Sequence, residues 1–299
     1  MKEINDLIRK YELKPNGYQK KGKAIIVNTK DDKLIIKEKP DNDVYKYLNS
    51  RSFRYYPEII NEDSKYQITR YIDEIIYPDE QKILDMIDLV SLLHNKTTFY
   101  KNVDSDEYKK IYEDISNNIE HLYNYYSDLI TIIESKVYLS PSELVLATNI
   151  SKIFACLNYS KGELDKWLEK LEKKRKQRFV LLHNNLDLDH FIKNDNSYLI
   201  SWNHSKIDIP IFDLYKLYRK YSNMFDFESI FKRYESNYKL LDEEKQLLFI
   251  LISLPNKVEL NHSEYLNTKL VSNMIDTIYK TEKLIEEYSN NRKEYESNH

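Results

Sequence analysis

The chain has 299 residues, 41% of them apolar and 32% charged, with a net charge of −3. That length supports a full buried core, in one large domain or two lobes. The balance of charge gives no field that favours nucleic acid, and the single cysteine rules out an intramolecular disulfide framework or a multi-cysteine metal centre.

The N-terminal residues Met1 to Asp6 carry no apolar h-region, and no stretch reaches the roughly 20 apolar residues of a membrane span. The expectation is a cytoplasmic protein without a membrane partner. From Lys23 to Thr29 the sequence is short and β-branched. Asp31 and Asp32 form a polar turn, and Leu34 to Lys37 follows, so a hairpin is predicted. Pro40 and Asp41 break the strand. Between Asp43 and Ser50, Val44, Tyr47 and Leu48 fall at helical spacing. Phe53 to Ile60 leads into a second strand pair, whose later member is Tyr66 to Ile72.

After Asp79 the period changes. Ile83, Ile87, Val90 and Leu93 predict an amphipathic helix ending near His94. Glu107 to Glu134 is a long Tyr- and Ile-rich helical region. Ser140-Pro141, with Glu143 close behind, predicts a helix start. Cys156 lies in an apolar run and reads as a core thiol. Gly162 to Arg178 reads as a charged helix, and its run Lys173 to Arg178 as a solvated face balanced by Glu169 and Glu172. A strand-like segment follows, then helices from Asp213 onward. The expected division is a strand-rich lobe over 1–73 and a helical lobe over 74–299.

The most informative segment is Phe179 to Ile192, with Tyr198 to Asn203 behind it. A phosphotransferase loop places an Asp two positions after a His, an Asn five positions later, and a second Asp on the next strand. Here the frame is His183, Asn185, His190 and Ser201. The spacing is kept and the carboxylates are gone. An amide has no useful basicity, so Asn185 cannot take a hydroxyl proton. Imidazole suits Zn²⁺ or Mn²⁺, whereas Mg²⁺ prefers oxygen. His190 also reads as a histidine packed beneath the loop, and Ser201 as a strand residue bonded locally. Asp187 and Asp189 lie inside the loop as solvated carboxylates or as substitutes for the missing base.

Four segments in the right order carry a resemblance. They are Lys23 to Lys37, Tyr47 to Phe53 with Pro57 to Ile60, Val90 to His94, and His183 to Asp213. Together the chain resembles the aminoglycoside phosphotransferase and choline kinase superfamily, and within it the bacterial spore-coat kinase-like branch. The resemblance implies an α+β, protein-kinase-like bilobal fold with a small β-rich N-lobe and a large helical C-lobe. It makes Lys37 the nucleotide-binding lysine, with Lys39 as a competitor and Asp43 as the nearest acidic partner. It makes Asn185 the replaced base position beside His183, and His190 and Ser201 the replaced metal positions. It makes Asp213 the residue that holds the loop, although a helix N-cap is the alternative. ATP and Mg²⁺ are the implied cofactors, at a weakened site. The expected function is that of a kinase-fold pseudoenzyme whose partner is a nucleotide, a small molecule or a protein. The alternative is an active small-molecule phosphotransferase that uses Asp187 or Asp189.

Overall fold

The computed structural model describes residues 9–22, 24–30, 32–40, 43–102 and 105–297. The chain forms two compact units, one of residues 1–97 and 181–207, the other of 98–180 and 208–299.

The first unit is built on a five-stranded antiparallel sheet of order β1-β2-β3-β5-β4. Its strands are β1 (Gly17–Lys21), β2 (Ala24–Asn28), β3 (Lys33–Glu38), β4 (Ile59–Glu62) and β5 (Tyr66–Arg70). The predicted hairpin is β2–β3, and its turn closes through Thr29, whose hydroxyl donates to Asp32 O at 2.7 Å. Lys23 and Asp31 lie outside the described residues. Gly22 stands at φ +59° in the β1–β2 turn, a backbone setting that glycine adopts without strain.

Side chains alternate across a strand. Ile25, Val27, Leu34, Ile36 and Ile68 therefore share one face and form its core, covered by Tyr11, Leu13 and Tyr66. The register Ile36↔Ile68 places Lys37 opposite Gln67 and Ile35 opposite Thr69 on the other face. β1, written Gly-Tyr-Gln-Lys-Lys, is exposed throughout, and its lysines suit an unpaired sheet edge.

Helix α1 (Val44–Ser50) buries Val44, Tyr45 and Leu48. Helix α2 (Asp79–Thr97) begins on Asp79 and Glu80 and buries Ile83, Ile87, Val90, Leu93 and His94. Its acidic start suits the helix dipole. Its last residue, Thr97, accepts from Leu181 N through its hydroxyl at 3.1 Å and so ties α2 to the returning chain.

The second unit holds β6 (Phe99–Asn102), most of β7 (Lys176–Leu182), and six helices among the described residues. These are α3 (Ser105–Glu134), α4 (Pro141–Leu171), α5 (Ile211–Tyr221), α6 (Phe227–Asn237), α7 (Asp242–Ser253) and α8 (Glu264–Ser297). α4 starts where the Ser140-Pro141 signal predicts, and Ser140 N donates to the Glu143 carboxylate at 2.9 Å. It packs against α3, α7 and α8, burying Ile153, Leu157, Leu164 and Trp167. Cys156 is buried and free, and burial pushes its thiol up to about 11. Such a thiol is inert at neutral pH.

The charged helix expected from Gly162 to Arg178 ends instead at Leu171, and β7 begins at Lys176. Tertiary pairing is the reason. Arg178 is buried, donating from Nε to Glu244 at 2.9 Å and from Nη2 to Lys239 O at 3.0 Å, with its guanidinium 4.4 Å from the Tyr238 ring. Lys174 pairs with Glu243. The basic run is thus a turn and a strand start, with two of its five cations committed to α7. Among the described residues no helix is long and apolar enough to cross a membrane.

Candidate functional site

The apolar run Phe179-Val-Leu-Leu182 is wholly buried and delivers His183, at 0% exposure, to the end of β7. There the chain turns sharply. Asn184 takes φ +61°, a left-handed setting that asparagine tolerates. Its side-chain amide donates to His204 O at 2.7 Å. Leu186 and Leu188 are buried and anchor the loop from within. Asp187 caps a single 3₁₀ turn, Leu188–His190, by accepting from Asp189 N at 3.1 Å. The strands β8 (Phe191–Lys193) and β9 (Ser197–Leu199) pair in register, Phe191 opposite Leu199. Ser201 then takes φ +68°. Trp202 is fully buried, donating to Leu199 O at 2.9 Å, with its ring 4.8 Å from His183 and 6.1 Å from Phe53, edge-on to both.

Hydrogen bonds draw the four spaced positions into one cluster. His183 Nε2 donates to Ile200 O at 2.8 Å. His190 Nδ1 donates to Asn185 O at 2.8 Å. Ile200 N donates to His190 O at 2.9 Å, which sets Ser201 beside them. The two imidazole centroids are 6.3 Å apart. Because a carbonyl only accepts, the neutral His190 ring carries its proton on Nδ1 and keeps a lone pair on Nε2. Asn185 supplies a neutral amide and Ser201 a neutral hydroxyl, and both are half-buried.

Mg²⁺ takes near-octahedral oxygen ligands, commonly including one or two carboxylates. One imidazole, one amide and one hydroxyl do not fit it. The carboxylates inside the loop offer no evident replacement, since Asp187 caps the turn and Asp189 is exposed.

Lys37 lies in the same compact unit, on β3. Its ammonium has no ion pair or hydrogen bond among the described residues, and burial alone pushes its pKa down to about 8. The competing Lys39 is committed to Glu62 at 3.1 Å. Asp43, expected as the nearest acidic partner of Lys37, pairs with Lys46 at 3.0 Å instead. A three-residue separation on the edge of α1 makes that local pair the shorter reach.

Opposite Lys37 stands Gln67, at 0% exposure. Its Nε2 donates to Tyr45 Oη at 3.2 Å, and its Oε1 is buried without a hydrogen-bond partner. Gln67 and Tyr45 were not readable as site residues. Only the strand register, together with the α1 packing, brings them to Lys37.

Asp213 sits in the first turn of α5 at 0% exposure, and the N-cap of that helix is Pro210. The alternative reading of Asp213 as the cap is therefore corrected.

No protein-family model matches the sequence, and no curated protein matches it. Solved structures do. An aminoglycoside phosphotransferase from Alicyclobacillus acidocaldarius subsp. acidocaldarius DSM 446 aligns over 93% of this chain and 91% of its own, at 10% identity and a TM-score of 0.63. The AMP-bound complex of spectinomycin phosphotransferase aligns over 94% of this chain and 97% of its own, at 14% identity and a TM-score of 0.56. The same enzyme with ADP and spectinomycin aligns over 94% and 98%, at 12% identity and a TM-score of 0.51. With its small antiparallel sheet and its set of long helices, the chain has the α+β, protein-kinase-like fold of the aminoglycoside phosphotransferases.

Proposed function

We propose that this protein is a kinase-fold pseudoenzyme that binds a nucleotide or related small molecule at Lys37 and does not transfer phosphoryl groups efficiently. The observation that carries the reading is the cluster at 183–201. Its backbone bonds and buried Trp202 hold a loop of catalytic shape. The side chains at the base and metal positions are Asn185, His190 and Ser201. Phosphoryl transfer depends on positioning and on charge stabilisation by metal, and these side chains supply neither a carboxylate base nor a Mg²⁺ donor set. Nucleotide binding is supported from the other side by an unpaired, partly desolvated lysine. Spectinomycin phosphotransferase, of the same fold, has been captured with AMP and with ADP.

The kinase-like division belongs to this reading, with a strand-rich lobe over 1–73 and a helical lobe over 74–299. So does a cytoplasmic setting and a regulatory or assembly role through a protein partner, in keeping with the spore-coat-like resemblance. The runner-up, an active small-molecule phosphotransferase using Asp187 or Asp189, loses support because one carboxylate caps a turn and the other is solvated.

A thermal-shift titration with nucleotides tests the binding half, since a ligand that binds only the folded state stabilises it by mass action. A rise in Tm with AMP, ADP or ATP is expected. The absence of a shift with every nucleotide, with and without Mg²⁺, contradicts it.

A further inference from the structure

The face of the sheet that carries the half-buried Lys37 gives it no carboxylate partner among the described residues. A lysine taken out of water is normally offset by a carboxylate. Here three acidic groups of neighbouring segments are committed elsewhere. Glu62 holds Lys39, Asp43 holds Lys46, and Asp63 accepts from Tyr11 and pairs with Lys10. The residue directly across the ladder from Lys37 is the neutral Gln67. Opposed residues of an antiparallel pair have Cβ atoms about 5 Å apart, yet the two side chains are not bonded to each other. Gln67 spends Nε2 on Tyr45 and leaves Oε1 buried and open. The fold thus brings together a cationic donor without a counter-ion and an amide with one group unsatisfied. Buried groups in that state are costly unless something completes them.

We propose that the Lys37 site takes a phosphate monoester without a metal ion, and that Gln67, by staying neutral where a carboxylate would neutralise the lysine, sets that preference. The inference rests on the nucleotide-binding reading above and narrows it.

Charge decides between the ligands. A monoester carries about −1.5 to −2 at neutral pH, which one partly desolvated ammonium largely offsets. A metal-free triphosphate brings far more negative charge than a single lysine compensates. A metal-bound triphosphate calls for oxygen ligands of the kind Asn185, His190 and Ser201 do not form. With the amide turned so that Oε1 accepts from Tyr45 Oη, Gln67 Nε2 becomes the open group and can donate to a phosphate oxygen. Glutamate at position 67 has nearly the same shape as glutamine but would pair with Lys37 from within and repel the phosphate.

The test is isothermal titration of the intact chain with AMP, glycerol 3-phosphate and ATP, each in EDTA and in MgCl₂. AMP is expected to bind equally in both buffers and more tightly than ATP in EDTA. Glycerol 3-phosphate binding as well as AMP assigns recognition to the phosphate alone, and weaker binding adds the base. Both results support the proposal. Lys37→Met is expected to weaken AMP about 10- to 100-fold, the scale of a lost charge-assisted hydrogen bond. Gln67→Glu is expected to weaken it at least about tenfold by the same scale. Lys39→Met should leave it unchanged. Melting curves of each variant confirm that it is folded. Binding that appears only with Mg²⁺, or AMP affinity unaltered in Lys37→Met, overturns this inference while leaving a nucleotide binder. No binding by any ester in either buffer removes the nucleotide-binding reading itself.

Discussion

Two regions of the sheet-bearing unit differ in what holds them. The segment from His183 to His204 keeps its shape: a left-handed Asn184, a capped 3₁₀ turn, a short hairpin, and a buried tryptophan packed on a histidine. On the proposed reading, what it lacks is charge at the positions where phosphotransfer needs it. The face of β3 around Lys37 carries a charge and lacks the partner that would make that charge comfortable. Shape in the first region is held by groups that touch one another, so it does not depend on charge at positions 185, 190 and 201. Charge in the second is held against its own cost, and burial without compensation is the kind of local strain that function retains.

The comparison is broken most readily at Trp202. Trp202→Ala removes the largest side chain of the loop segment and is expected to cost about 3 to 5 kcal/mol, measured by urea unfolding. A loss below about 1 kcal/mol would mean that buried aromatic packing does not hold the loop.

At Lys37 the sign reverses. Lys37→Met is expected to stabilise the ligand-free protein by roughly 2 to 3 kcal/mol at pH 7, from the depressed pKa of a desolvated ammonium. The dependence on pH follows from linkage. Below about pH 8 the lysine is charged in the folded and unfolded chain alike, and its desolvation cost is fully present. Above that pH the unfolded chain holds a proton that the folded chain has shed, so wild-type stability rises toward that of the variant. The gap between the two should therefore be widest at neutral pH and narrow through pH 8 to 10. A variant less stable than wild type at pH 7 would show that the ammonium is compensated after all.

Restoring the acidic pattern is a milder change. The triple variant Asn185→Asp, His190→Asn and Ser201→Asp keeps left-handed backbone at a residue type that tolerates it and is expected to shift stability by no more than about 1 to 2 kcal/mol. It should acquire a Mg²⁺-dependent thermal shift with ATP that the wild type lacks. Turnover need not return with it. Asp189→Ala, at an exposed position, should change stability by less than about 0.5 kcal/mol and leave nucleotide binding as it was.

Much of this architecture can be read from residue patterns. The β2–β3 hairpin is written in β-branched alternation, α2 in its apolar stripe, and the start of α4 in Ser140, Pro141 and Glu143. Strands β1 and β6 are not, because three of the four β6 residues and all of β1 are exposed and carry no buried alternation. The end of α4 was misplaced because Arg178 is charged yet buried, through a partner on α7 that no local window contains. Gly162 suggested a helix start, but α4 runs through it, because packing against three helices outweighs the roughly 1 kcal/mol that an interior glycine costs. In the candidate site, the positions 183, 185, 190 and 201 follow from spacing within one segment. The partnership of Lys37 with Gln67 follows from strand register across 30 residues, which spacing along the chain does not encode.

The central claim, a loop of catalytic shape without catalysis, is tested most directly by phosphorus NMR of ATP and Mg²⁺ incubated with the wild-type protein and a panel of sugars, aminoglycosides and choline-like alcohols. The account predicts that the ATP resonances persist at the rate of the protein-free control. Sustained conversion to ADP that is abolished by Asp187→Ala, Asp189→Ala or His190→Gln would contradict it and establish a working phosphotransferase in its place.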